Sequence, residues 1–224
     1  MAMNLQTIDV DPGAEARSTI IILHGLGADG TDFLSFADEM KLGPVGPVRW
    51  VFPRAPERAV TINGGHRMRA WYDIFGTDLL RREDEAGLRE SIEQVHALID
   101  REVARGVPAR RIVLGGFSQG CAITLGAGLR YGQRLAGLAA LSGYVPLANT
   151  TAAERHAANH DTPVFQAHGR SDGVIPVARG IAARDLLLGL GQPVEWHDYP
   201  MEHSVCMEEV QALQQWLLRV LGQD

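Results

Sequence analysis

Short apolar runs of strand length alternate along this chain with segments of helical periodicity, and this alternation limits the folds open to it. The first run, residues 19–23, is continuous and rich in β-branched side chains, as expected of a strand covered on both faces. Between residues 83 and 105, apolar residues instead recur every three or four positions, which places them on one face of a helix. Alternating strands and helices predict an α/β fold with a mostly parallel sheet and helices on both faces.

The same two periodicities locate the other elements. We predict strands at residues 19–23, 48–52, 70–74, 111–115, 135–141, 163–167 and 193–199. We predict helices at residues 32–40, 83–105, 119–130 and 177–188, and a last helix through Val210, Leu213, Leu217 and Val220. Residues 54–63 are predicted to form a loop, and residues 150–160 a short helix or a lid-like loop. Because no linker or repeat interrupts this pattern, we assign residues 1–224 to a single domain.

Composition limits the class of function. The net charge of −6 and the lack of a dense arginine and lysine stripe argue against a nucleic-acid partner. Cys121 and Cys206 are too few for a disulfide framework. The first residues do not resemble a signal peptide, and the apolar runs are too short to span a bilayer. We therefore expect a cytoplasmic protein without an integral membrane segment.

The pentapeptide from Gly116 to Gly120 fits the pattern G-x-S-x-G with Ser118 at its centre. In this pattern a sharp turn between a strand and a helix exposes the serine, and the flanking glycines let the backbone segments pack closely. The context agrees, because the predicted strand 111–115 precedes the motif and the predicted helix 119–130 follows it. We therefore predict that Ser118 is a nucleophile.

A serine hydroxyl needs a base to take its proton, and in this arrangement the acid and the histidine follow the serine along the chain. His203 comes just after the predicted strand 193–199, whereas His197 lies within that strand and is expected to be structural. Asp172 lies in the loop after the predicted strand 163–167. We predict His203 as the general base and Asp172 as the residue that orients it.

A glycine-rich segment, residues 24–30, follows the first predicted strand. An acyl-transfer enzyme needs two backbone donors for the oxygen of the tetrahedral intermediate. We expect the amide of Leu26 in this segment and the amide of Gln119, directly after the nucleophile, to form this oxyanion hole. His24 is expected to brace the glycine loop.

The same segment also fits G-x-G-x-x-G, which is typical of dinucleotide-binding loops. That alternative requires an acidic residue about twenty positions further on, where this chain has Arg54 instead. Arg54 would suit a 2′-phosphate, so an NADP-dependent oxidoreductase remains a remote alternative, as does a non-catalytic binding protein. Neither explains why Ser118, Asp172 and His203 occur in this order.

Large apolar side chains near the expected site are candidates for substrate binding, although each would also suit the core. The predicted substrate-binding residues are Phe33, Trp71, Tyr72, Val174 and Met201, with Leu79, Leu80 and Ile175 as further candidates. His156 and His160 have a spacing that suits a metal, but they lack a convincing third ligand. We therefore predict no metal.

The chain resembles the carboxylesterase and acyl-protein thioesterase family of α/β-hydrolases, also grouped as phospholipase/carboxylesterases. The motifs that carry the resemblance are LHGLGAD at residues 23–29, PRAP at 53–56, TINGG at 61–65, WYD at 71–73, GGFSQG at 115–120 and HG at 168–169, followed by Asp172. The resemblance implies an enzyme without a cofactor or a separate cap domain, with the triad and oxyanion donors named above. It also implies a preference for short- to medium-chain acyl esters and, often, a homodimer.

From these features we predict a serine carboxylesterase that hydrolyses short- to medium-chain acyl esters through the triad of Ser118, His203 and Asp172 and an acyl-enzyme intermediate. An acyl-protein thioesterase and a lysophospholipase with the same triad are the alternatives. Two positions depart from the family pattern, since Cys121 and Glu202 stand where glycine is usual. We expect the Glu202 carboxylate to favour the protonated form of His203 or to restrict its loop.

Overall fold

The computed structural model describes residues 5–76 and 83–222, and it is organised around one large sheet. Within those residues the strands are β1 Thr7–Val10, β2 Ser18–Leu23, β3 Val48–Pro53, β4 Glu57–Val60, β5 His66–Arg69, β6 Ile112–Phe117, β7 Gly137–Leu141, β8 Val164–Gly169 and β9 Val194–Tyr199. The α-helices are α1 Leu34–Glu39, α2 Glu85–Ala104, α3 Gln119–Arg130, α4 Ala148–Glu154, α5 Val177–Gly189 and α6 Met207–Leu221.

Seven strands form the central sheet in the order β1-β3-β2-β6-β7-β8-β9. β1 runs antiparallel to β3, and the other neighbours in this sheet pair in parallel. Apolar side chains form one buried cluster with α2 and α3 and another with α1 and α6. The predicted α/β architecture with a mostly parallel sheet is thus confirmed, whereas the assignment of residues 1–224 to one domain stays a prediction.

Residues 70–74 do not form the predicted strand. The side chain of Gln119 takes the hydrogen bonds that a neighbouring strand would supply, since its Oε1 accepts from the Trp71 amide at 2.8 Å and its Nε2 donates to the Tyr72 carbonyl at 2.7 Å. The predicted loop at residues 54–63 instead contributes β4, which pairs with β5 in a separate antiparallel hairpin.

The predicted last helix is confirmed as α6, and the predicted helix at residues 32–40 is a 3-10 turn, Gly30–Phe33, followed by α1. Among the described residues, no helix is both long and apolar enough to cross a bilayer. β6, β7, β8 and β9 are consecutive strands of the central sheet. The carboxyl ends of β6, β8 and β9 lead into the segments that carry Ser118, Asp172 and His203, respectively. Such an edge is where open parallel sheets bind ligands.

Candidate active site

Ser118 occupies the sharp turn between β6 and α3. Its backbone has φ 57° and ψ −117°, a region that is strained for a residue with a side chain. The Ser118 amide donates to the Leu141 carbonyl of β7 at 2.9 Å, which helps to hold the strained conformation. The turn directs the hydroxyl away from the sheet, toward the loop that carries His203.

The two glycines of the motif are required by close backbone packing. A Cβ on Gly116 would overlap the carbonyl of Gly120 and would lie 2.8 Å from the Thr124 hydroxyl. A Cβ on Gly120 would overlap the Leu23 carbonyl and lie 2.6 Å from the His24 carbonyl. The sharp turn at Ser118 therefore fits beside the end of β2 because both positions lack a side chain.

His203 connects the Ser118 hydroxyl to a buried carboxylate. Its Nε2 lies 2.9 Å from Ser118 Oγ, and its Nδ1 lies 2.7 Å from Asp172 Oδ2. Asp172 Oδ1 in turn accepts from the backbone amides of Val174 at 2.9 Å and Ile175 at 2.8 Å. Because the carboxylate accepts at Oδ2, the proton of the neutral imidazole resides on Nδ1, and Nε2 is left to accept from Ser118.

His168 supports the Asp172 loop from the core side. Its Nε2 donates to the Ile175 carbonyl at 2.8 Å and lies 3.5 Å from Asp172 Oδ2. Burial lowers the pKa of His168, so this imidazole is neutral near pH 7. His168 belongs to one of the family motifs in the sequence, but its role could not be predicted, because a histidine inside a buried strand gives no local sign of its partner.

The two expected oxyanion donors, Leu26 and Gln119, both line the cleft at Ser118. Gln119 is the first residue of α3, so its amide has no acceptor within the helix. In the glycine loop, the Gly27 amide donates to the Arg69 carbonyl at 2.8 Å and the Ala28 amide to the Gly25 carbonyl at 3.3 Å. No backbone hydrogen bond within the described ranges uses the Leu26 amide.

His24 braces the glycine loop, as expected. Its Nδ1 donates to the Gly25 carbonyl at 2.7 Å, and its Nε2 accepts from the Ala55 amide at 3.0 Å. Burial lowers the pKa of His24, which agrees with a neutral ring that both donates and accepts. Arg54, considered above for a 2′-phosphate, instead pairs with Asp29 at 3.1 Å. The loop is thus fixed by its own side chains.

The cleft beside Ser118 has a volume of about 280 Å³. Of the predicted substrate-binding residues, Tyr72 and Val174 line it. Ile175, one of the three further candidates, also lines the cleft. The other two, Leu79 and Leu80, lie outside the described residues. Val174 is 67% exposed and therefore marks the mouth of the cleft, whereas Tyr72 is buried at its inner side.

Three predicted substrate-binding residues lie elsewhere. Trp71 is fully buried, and its Nε1 donates to the His24 carbonyl at 2.8 Å, so it supports the glycine loop from behind. Phe33 packs in the core against Phe36 and Phe117, with ring centroids 5.1 and 5.9 Å away. Met201 belongs to the loop of His203, where its carbonyl accepts from the Ser171 amide at 3.1 Å.

Tyr144 is a cleft residue that the sequence analysis missed. It follows the carboxyl end of β7, and its hydroxyl forms a 2.7 Å hydrogen bond with the Tyr72 hydroxyl. Its position after a central strand was the available signal, because loops at that edge border the site. Ile62, Asn63, Ile74 and Gly76 also line the cleft.

The two departures from the family pattern have different surroundings. Cys121 is buried beside Gly143, and burial raises the pKa of its thiol, so it acts as a small packing residue. Glu202 is exposed, and no hydrogen bond or ion pair joins its side chain to the residues that the structure describes. The Glu202 carbonyl, in contrast, packs directly against Gly169 at the end of β8.

Comparisons with known proteins agree with this geometry. The family model described as phospholipase/carboxylesterase matches residues 6–221. Acyl-protein thioesterase 1 of Yarrowia lipolytica is 40% identical over 209 residues, which are 91% of this chain and 92% of that protein. Acyl-protein thioesterase 1 of Schizosaccharomyces pombe is 36% identical over 225 residues, with 99% of each chain covered.

Solved structures give the same assignment. The structure of Arabidopsis thaliana SOBER1 matches with a TM-score of 0.87 and 33% identity over 92% of this chain and 100% of that one. The structure of Zea mays acyl-protein thioesterase 2 matches with a TM-score of 0.84 and 27% identity, over 97% of this chain and 99% of that one. The chain therefore belongs to the phospholipase/carboxylesterase family and is a serine hydrolase of the α/β-hydrolase fold.

Proposed function

We propose that the protein hydrolyses carboxylic esters through an acyl-enzyme on Ser118, with His203 as general base and Asp172 as the residue that orients it. The observation that carries this proposal is the continuous line of hydrogen bonds from Asp172 through His203 to Ser118, at 2.7 and 2.9 Å. A nucleophile in reach of a base that is itself held by a third group is the arrangement that activates a serine hydroxyl.

In the first step, Ser118 Oγ attacks the ester carbonyl carbon while His203 Nε2 takes the hydroxyl proton. The carbonyl π electrons move to oxygen, and the amides of Leu26 and Gln119 are the proposed donors to the resulting oxyanion. When the tetrahedral intermediate collapses, the ester C–O bond breaks, and the leaving alcohol takes the proton from His203. Ser118 then carries the acyl group.

Water completes the cycle by the reverse sequence of proton transfers. His203 Nε2 removes a proton from water as its oxygen attacks the acyl carbon, and the bond to Ser118 Oγ breaks with return of that proton to the serine. Asp172 keeps the Nδ1 proton in place throughout and stabilises the transient imidazolium. The products are a carboxylic acid and an alcohol.

The cleft supports short- to medium-chain acyl groups as substrates. Its lining is largely apolar, and its volume of about 280 Å³ lies near the lower end of the range of small-molecule pockets, about 300–1,000 Å³. An acyl chain of short to medium length suits a cleft of this size better than a long one. Thioester and lysophospholipid substrates would use the same triad, and the names of the relatives favour an acyl-protein thioester as the second candidate.

A series of p-nitrophenyl esters from acetate to palmitate tests the substrate class. We expect kcat/KM to be highest at short or medium chains and to fall for palmitate, because the long chain exceeds the cleft. A maximum at palmitate would contradict this preference and favour a long acyl-protein or lipid substrate. A fluorogenic peptide that carries an S-acyl cysteine, compared with the matched O-acyl serine peptide, separates thioesterase from esterase activity.

Glu202 gives a smaller prediction on the pH dependence. Replacing Glu202 with glycine removes a negative charge next to His203. Because loss of this charge makes the imidazolium less favourable, the acidic limb of the pH–rate profile should move to lower pH. Since the Glu202 side chain is exposed, the expected displacement is at most about half a pH unit. An acidic limb that coincides with that of the wild type would show that this charge does not act on His203.

The homodimer and the cytoplasmic location expected from the sequence stay predictions. Multi-angle light scattering on a size-exclusion column tests the dimer, since the expected mass is twice the 24.4 kDa of one chain. A single peak at the mass of one chain, at the concentration used for the activity assays, would contradict it.

A further inference from the structure

Glu209 is a fully buried carboxyl group that the proposed reaction does not use. It is the third residue of α6, with none of its surface exposed. Both carboxyl oxygens are inaccessible and have no hydrogen-bond partner within residues 5–76 and 83–222. A carboxylate in such surroundings is unfavourable, because burial removes its water and the nearby backbone amide of Cys206 offsets this loss only in part.

The position of Glu209 connects it with the loop of His203. This histidine loop, residues 200–206, joins the end of β9 to the start of α6. Tyr199 is the last residue of β9, and its hydroxyl is likewise buried without a partner in the described part of the chain. Cys206 caps the start of α6. The Glu209 carboxyl interacts electrostatically with Tyr199 and with Cys206, which places it near both ends of the loop.

The two halves of the histidine loop are held differently. The first half is tied to the Asp172 loop, since the Arg170 amide donates to the Tyr199 carbonyl at 2.8 Å and the Ser171 amide to the Met201 carbonyl at 3.1 Å. The second half continues directly into α6. The first turn of α6, which buries Glu209, therefore determines where the second half lies.

Among the described residues, burial and one backbone amide, rather than a cationic side chain, shift the pKa of Glu209. The titratable groups on which its charge acts are Tyr199 of β9, Cys121 of α3 and Cys206 at the cap, and the exposed Glu208 precedes it on α6. Burial raises the pKa of Glu209 to about 8, an effect that the nearby Cys206 amide opposes. The group is therefore a neutral acid at pH 7 and ionises at mildly alkaline pH.

We propose that Glu209 is a positioning residue for His203, which as a neutral acid keeps the first turn of α6 and the histidine loop in place, and whose ionisation displaces that loop. The inference rests on the proposed function, because it assumes that His203 is the base. Its consequence is a loss of activity at alkaline pH that originates outside the triad.

The direction of the effect on stability follows from the pKa. An acid whose pKa is higher in the folded than in the unfolded protein destabilises the fold increasingly as the pH rises between the two pKa values. For Glu209 this range runs from the ordinary pKa of 4.5 to about 8. Glutamine at this position has nearly the same shape and stays neutral. The Glu209→Gln variant should therefore gain in Tm relative to the wild type as the pH rises over this range.

The test measures kcat/KM for a short p-nitrophenyl ester at pH 7 and pH 9 in the wild type, Glu209→Gln and Glu208→Gln. Glu208 is the matched control, because it is exposed on the same helical turn. We expect kcat/KM of the wild type and of Glu208→Gln to fall roughly tenfold between pH 7 and pH 9, since about a tenth of Glu209 stays neutral one pH unit above its pKa. Glu209→Gln should retain its activity within about twofold.

The outcomes separate this inference from the proposed function. An alkaline loss in Glu209→Gln equal to that of the wild type, or a Tm difference that does not grow with pH, would overturn the role of Glu209 and leave the triad intact. If the proposed function were wrong, Ser118→Ala would retain activity whatever Glu209 does. If Glu209→Gln does not fold, Glu209→Met supplies a second neutral side chain, and failure of both to fold would show a structural role only and overturn the proposal.

Discussion

Replacing Ser118 with alanine is expected to lower kcat for ester hydrolysis by on the order of 10⁴–10⁶. Without Oγ, no acyl-enzyme forms, and His203 has no hydroxyl to deprotonate. The backbone amides of Leu26 and Gln119 and the cleft are unchanged by this substitution, so a residual rate above that in water should remain. Initial rates on the best p-nitrophenyl ester, with titrated enzyme concentrations, measure the effect.

Ser171→Ala is the matched control for this substitution. Ser171 is exposed and directly precedes Asp172, and it contributes its backbone amide, which alanine keeps, to the bond with the Met201 carbonyl. Its activity should stay within about twofold of the wild type. A fluorophosphonate probe should label the wild type and Ser171→Ala but not Ser118→Ala. Substantial hydrolysis by Ser118→Ala would refute the assignment of the nucleophile.

The proposed triad could be found in the sequence because each member comes directly after a strand of a parallel sheet. The carboxyl ends of β6, β8 and β9 meet at one edge, so residues far apart in the chain converge there. Periodicity located these strands to within a few residues, and the order of serine, acid and histidine selected among the remaining candidates. The 2.7 and 2.9 Å distances around His203 required the structure.

The walls of the cleft could not be predicted in the same way. A large apolar side chain near a loop looks the same in the sequence whether it faces a cleft or the core. Trp71 and Tyr72 are neighbours, yet Trp71 is buried behind the glycine loop and Tyr72 lines the cleft, because the Gln119 side chain binds the backbone at both positions. Such a long-range hydrogen bond leaves no local pattern.

β1 and the hairpin of β4 and β5 were missed for a related physical reason. These strands are four residues long and lack a continuous apolar run. β1 is held at the sheet edge by pairing with β3 and by ion pairs of Asp9 with Arg101 and Arg105 of α2, at 3.5 and 2.8 Å. Contacts between residues more than ninety positions apart stabilise the strand, and periodicity does not report them.

Replacing Asp172 with asparagine is expected to lower kcat by about 10⁴ at neutral pH, although the two side chains have nearly the same shape. Asp172 Oδ1 accepts from the Val174 and Ile175 amides, so the asparagine oxygen must occupy that side. The amide NH₂ then faces His203 Nδ1 and donates to it. His203 consequently carries its proton on Nε2, where it meets Ser118 Oγ and cannot accept the hydroxyl proton.

Asp198→Asn separates this tautomer effect from a general loss of negative charge near the site. Asp198 is exposed near the end of β9 and pairs with Arg170 at 3.2 Å, but it has no contact with His203 in the described structure. We expect its kcat to stay within about twofold of the wild type, since exposed ion pairs contribute little. Circular dichroism should show both asparagine variants folded. If Asp172→Asn lost less than about tenfold while folded, Asp172 would not be the residue that orients His203, because a base in the wrong tautomer cannot sustain the first proton transfer.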